Sequence, residues 1–79
     1  MSLERYTLKA SLGKAKRIHT FCDTDDTRAI GEGAMIVMRL AHHEFDDRRY
    51  PNKVWGRGKI VLLNSRGDVL QTMDQKDDI

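Results

Sequence analysis

The architecture of this chain turns on Lys53-Val54-Trp55-Gly56-Arg57-Gly58-Lys59-Ile60-Val61-Leu62-Leu63. Lys53, Trp55, Arg57 and Lys59 share one parity, and Val54, Ile60 and Leu62 share the other. Successive side chains on a strand point to opposite faces, so the run reads as a strand with a basic, Trp-bearing face and an apolar one. Asn64-Ser65-Arg66-Gly67 is a turn signal, and Asp68 to Met73 reads as the returning strand of a hairpin. Gly56-Arg57-Gly58 inside a strand marks a bulge or a close approach of backbones.

Upstream, Tyr50-Pro51-Asn52 closes a charged loop, because the residue before a proline is biased away from helix. Before it, Asp23-Thr24-Asp25-Asp26-Thr27 is a helix start, with short polar side chains to cap free N–H groups and carboxylates at the positive end of the helix dipole. Ile30, Ala34, Val37, Met38, Ala41 and Phe45 then recur in a stripe about 100° wide that predicts the core face of a helix ending near His43. Further upstream, Tyr6, Leu8, Ala10 and Leu12 alternate with Arg5, Thr7, Lys9 and Ser11 over residues 3–12. Gly13-Lys14 turns the chain, and Lys16 to Cys22 reads as a second strand with Ile18, Thr20 and Cys22 inward. The predicted architecture is a single α+β domain over residues 1–73, ββαββ. Two hairpins form one four-stranded antiparallel sheet with one helix on one face, and residues 74–79 form a polar tail.

The chain has 79 residues, with 14 Lys plus Arg against 12 Asp plus Glu. That length allows one small domain with a thin core and excludes folds built on a couple of hundred residues. The longest apolar run, Ala34 to Met38, is far short of the roughly 20 residues that cross a bilayer, so no membrane partner is expected. A single cysteine, Cys22, cannot form an internal disulfide and reads as a small buried hydrophobe. Met-Ser-Leu-Glu-Arg lacks the apolar stretch of a signal peptide, and the expected setting is cytoplasmic. The near-balance of charge conceals segregation: residues 1–22 sum to +4, residues 23–47 to −5, residues 48–66 to +6 and residues 67–79 to −3. Both positive blocks fall on predicted strands and their adjoining turns, and the acidic block falls on the helix.

Three constellations follow from this layout. Arg17, Lys53, Trp55, Arg57 and Lys59, with Arg5, Lys9, His19 and Phe21 around them, predict an open sheet face where cations neutralise phosphates and the indole stacks on a base. DNA or RNA is the partner that face implies. Met35, Ile36 and Leu40, beside Gly33, lie on a helix flank outside the core stripe, at a spacing that lets another helix approach. They are the expected contact surface for a homodimer or a host protein, which is the alternative function. His42 and Asp46 stand at i and i+4, but two groups are half a coordination set, and a polar helix terminus explains them. The acids at Asp23, Asp25 and Asp26 lack the glycine and closing glutamate of a calcium loop. Gly31-Glu32-Gly33 is not a phosphate loop, and Arg66-Gly67-Asp68 reads as turn chemistry. No nucleophile and base fall together, since Cys22 and His19 have opposite parity on one strand. A non-catalytic protein without metal or cofactor is expected.

The run from Arg5-Tyr6-Thr7-Leu8 through Asp25-Asp26-Thr27-Arg28-Ala29-Ile30 to Val54-Trp55 and Arg66-Gly67-Asp68-Val69-Leu70 resembles small uncharacterised ββαββ proteins of bacteria and bacteriophages. The resemblance covers most of the chain and consists of a Tyr-led hairpin, an acidic helix start, a strand with Trp and a Gly-turn hairpin. It implies the same architecture and a bacterial or phage accessory protein, and it brings no site residues with it.

Overall fold

The computed structural model describes residues 3–46 and 53–74. In chain order it contains β1 (Glu4–Leu12), β2 (Ala15–Asp23), α1 (Asp26–Asp46), α2 (Val54–Arg57), β3 (Lys59–Leu63) and β4 (Val69–Asp74). The four strands form one antiparallel sheet in the order β2-β1-β3-β4. The ββαββ order and α+β class therefore hold, with a four-residue helix added before β3. The expected tail beyond Asp74, and the part of the charged loop from residue 47 to 52, lie outside the described residues.

Strand β1 is the organising element because it pairs on both sides. Tyr6, Leu8 and Ala10 face the helices from it, joined by Ile60 and Leu62 of β3, Ala29 and Val37 of α1, and Val54 and Trp55 of α2. These nine side chains are the core, and the other face of the sheet is open. Gly13 turns the first hairpin at φ +60°, a conformation glycine adopts without a Cβ clash. Gly67 does the same for the second at φ +88°. There the Asn64 side-chain oxygen accepts the N–H groups of Arg66 and Asp68, each at 2.9 Å.

Three expectations need correction. First, the strand begins at Lys59; residues Val54–Arg57 form a helical turn. Alternation over 53–58 is a weak strand signal because Gly56 and Gly58 carry no side chain. Gly58 is the point of closest approach, where a Cβ would strike the carbonyl oxygens of Ser11 and Val54. Second, the faces of β2 are exchanged. The two-residue turn pairs Leu12 with Ala15, so Ala10 opposes Arg17, Leu8 opposes His19 and Tyr6 opposes Phe21. Even positions of β1 thus share a face with odd positions of β2. Arg17, His19 and Phe21 lie on the helix side, while Ile18, Thr20 and Cys22 lie on the open face, where Cys22 is exposed.

Third, α1 is rotated from its predicted orientation and extends to Asp46. Its buried residues are Ala29, Gly33, Val37 and Glu44, and Ile36 and Leu40 pack partly buried against the core. Of the core stripe assigned by periodicity, Ile30, Val37 and Ala41 do pack on the core, whereas Met38 and Phe45 are 71% and 52% exposed. The helix carries two apolar stripes, and the one bearing the smallest residues wins because it lets the backbone approach the sheet. Gly33 sits over Leu62, Leu8 and Phe21, where a Cβ would be 3.6–3.7 Å from their side chains. The start of α1 follows expectation: Asp25 caps it, its Oδ1 accepting the Arg28 N–H at 2.8 Å.

Candidate nucleic-acid interface

The open face of the sheet is composed by register. Arg5, Thr7, Lys9 and Ser11 project from β1, and Lys16, Ile18, Thr20 and Cys22 from β2. Lys59, Val61 and Leu63 project from β3, with Thr72 and Asp74 of β4 beside them. Across β1, β2 and β3 every Lys, Arg, Asp or Glu on this face is a cation: Arg5, Lys9, Lys16 and Lys59. All four are exposed, and none forms an ion pair with a described residue. Asp74, opposite Lys59, is the single acid among the described strand residues of the face.

Three of these cations form a cluster. Ser11 is the Cα partner of both Lys16 and Lys59, so the two lysines flank its hydroxyl in one row across the sheet. Lys9 lies two residues along the central strand. With strands about 4.8 Å apart and about 3.4 Å of rise per residue, the three Cα atoms form a triangle with sides of about 8–10 Å. Two of the three, Lys9 and Lys16, line a shallow depression of about 490 Å³ with Ser11, Ile18, Val61 and Leu63 among others. Three ammonium groups around a hydroxyl, on a half-apolar floor open to solvent, can hold phosphate oxygens without a shaped pocket.

Of the five residues expected to form the basic surface, Lys59 alone is on this face. Trp55 is 6% exposed and belongs to the core. Arg17 is on the helix side at the sheet edge, with its Nη1 donating to the Lys16 carbonyl at 2.8 Å. Lys53 donates from Nζ to the Glu44 carbonyl at 2.6 Å and stands 5.7 Å from the Phe45 ring centroid. Arg57 stands over the same ring at 5.9 Å. Arg5 and Lys9 are where the sequence places them, and Lys16 is the residue that sequence reasoning missed. The signal for it was present: a two-residue turn fixes Ser11 opposite Lys16. Tyr6 and Phe21 stack on the helix side with centroids 5.7 Å apart, and none of the described aromatic rings lies on the open face.

No protein family, curated protein or solved structure matches this chain.

Of the expected helix flank, Met35 is 57% exposed, while Ile36 and Leu40 are half-buried in contact with the core and are not a free contact surface. His42 Nδ1 and Asp46 Oδ2 do meet, at 3.3 Å, both side chains largely exposed. Among the described residues no three of His, Cys, Asp and Glu gather where they could share an ion. No described helix is long and apolar enough to cross a membrane.

Proposed function

We propose that this chain is a small, non-catalytic binding protein, of the bacterial or phage accessory kind, that engages the phosphate backbone of DNA or RNA. It does so through Lys9, Lys16 and Lys59 around Ser11, with Arg5 as an outlying fourth contact. The observation that carries this reading is the exclusive positive charge of the open face over β1, β2 and β3. Because the described aromatic rings lie elsewhere, binding here is electrostatic and indifferent to base sequence, without a stacking platform among the described residues of the kind a sequence-tolerant single-strand binder uses.

The experiment is a salt titration of affinity for mixed-sequence oligonucleotides. Between about 50 and 200 mM salt, log K for a duplex falls linearly with log salt at a slope near −0.9 per phosphate neutralised, so three to four contacts give roughly −2.7 to −3.6. Replacing Lys9, Lys16 and Lys59 together by Gln removes most of that slope, whereas Lys53→Gln and Arg57→Gln leave it unchanged. Absence of salt-dependent binding, or a triple variant with the parent's slope, overturns the reading.

A further inference from the structure

The outward side of α1 carries a feature separate from the basic face. Gly31, Met35, Met38, His42 and Phe45 succeed one another at intervals of four and three residues, the repeat that presents a seam to a second helix. They lie opposite the stripe that packs on the sheet. Met35 and Met38 are 57% and 71% exposed, although an apolar row of this kind is normally covered. Beside it, between α1 and α2, runs an open groove of about 320 Å³ walled by Met38, Ala41, Phe45 and Trp55 among others.

The geometry points to a second copy of this chain as the occupant, its α1 lying antiparallel along the seam about a two-fold axis between Ile36 and Val37. Charge selects both the partner and the direction. Glu32 and Arg39 border the seam on one side, both exposed, and neither forms an ion pair with a described residue. In the antiparallel arrangement Glu32 of each copy comes opposite Arg39 of the other, and a two-fold interface makes the pair twice. At the same setting Met35 meets Met38 of the other copy. Gly31 leaves room for the opposing His42, and Ala34 packs against Ala41. A parallel pair places Glu32 beside Glu32 and Arg39 beside Arg39, with no opposite charge in reach. Antiparallel helices also set their dipoles head to tail. A 79-residue domain with a nine-residue core is of the size that gains stability by association.

Sedimentation equilibrium of the full chain tests this. The parent is expected to be a dimer. Met38→Asp, at an exposed position that leaves the helical circular-dichroism signal intact, weakens association at least on the order of thirtyfold. Glu32→Arg and Arg39→Glu each weaken self-association several-fold, and an equimolar mixture of the two variants recovers the parent's strength. In that heterodimer both cross-pairs regain opposite charge; a parallel pair, whose parent has no opposite charges in reach, would show no weakening in the single variants. A parent monomeric at every concentration, a Met38→Asp variant that dimerises like the parent, or a mixture no tighter than its components overturns the proposal.

Discussion

The phenol of Tyr6 is fully buried, and its hydroxyl donates to Asp26 Oδ1 at 2.9 Å, linking the centre of the sheet to the first turn of α1. Burial pushes its pKa far above the usual tyrosine value, and the hydrogen bond to Asp26 and the negative charges of Asp26 and Glu4 push in the same direction. The folded state therefore holds the phenolic proton more tightly than the unfolded chain does. Its contribution to stability is complete below about pH 10, the ordinary tyrosine value, and is lost as the pH rises beyond it, because only the unfolded chain can then ionise. Urea midpoints measured on either side of that pH should fall for the parent. Tyr6→Phe, which has no proton to lose, should start lower for want of the hydrogen bond and fall less. Equal alkaline losses in the two proteins would place the sensitivity elsewhere.

At the scale of elements, α2 is the least self-sufficient piece of the fold, since a four-residue helix has no cooperative stability of its own. Its free N–H groups are satisfied from α1: buried Glu44 accepts from Trp55 at 2.8 Å and from Gly56 at 3.1 Å through one carboxylate oxygen. Glu44→Ala strands both donors and should cost about 1–3 kcal/mol, with Trp55, the single tryptophan, moving to redder emission as the turn opens. Glu44→Gln keeps an acceptor oxygen and should lose less; equal losses would mean that packing, not capping, holds the turn. This contact also explains what the sequence made legible. The alternation of β1 is unambiguous because Tyr6, Leu8 and Ala10 all carry side chains that report the core face, so β1 was found within a residue of its ends. Residues 54–57 are not legible locally because Glu44, ten residues upstream of Val54, caps their turn, a partner that no local periodicity reveals. The faces of β2 were assigned wrongly although Gly13-Lys14 contained the answer, since parity reverses across a two-residue loop. For α1, two apolar stripes of similar weight compete, and closeness of approach at Gly33, a tertiary effect, decides between them. The cationic surface was therefore foreseen in kind, and only Arg5, Lys9 and Lys59 were foreseen in place.

For the molecule as a whole, the two surfaces have a joint consequence. The basic face is on the far side of the sheet from α1, so a dimer joined through α1 is a stack of sheet, helix, helix and sheet with its basic faces outward. Helix layers pack about 8–10 Å apart, and with a helix-on-sheet layer of similar depth on each side the two faces end roughly 30 Å from one another. They look in opposite directions, so one straight duplex cannot occupy both. The dimer should therefore bridge two nucleic-acid segments. With two duplexes carrying donor and acceptor dyes, the parent should bring the dyes together at low salt, and added salt should separate them as phosphate contacts are lost. Met38→Asp, with its basic face untouched, should still bind each duplex with the parent's salt slope per protomer but give no energy transfer between them. The Lys9, Lys16 and Lys59 to Gln variant should show the converse, remaining a dimer but binding each duplex only weakly. Saturation of the dimer by a single duplex would rule out the back-to-back arrangement, because faces pointing apart leave the second one empty.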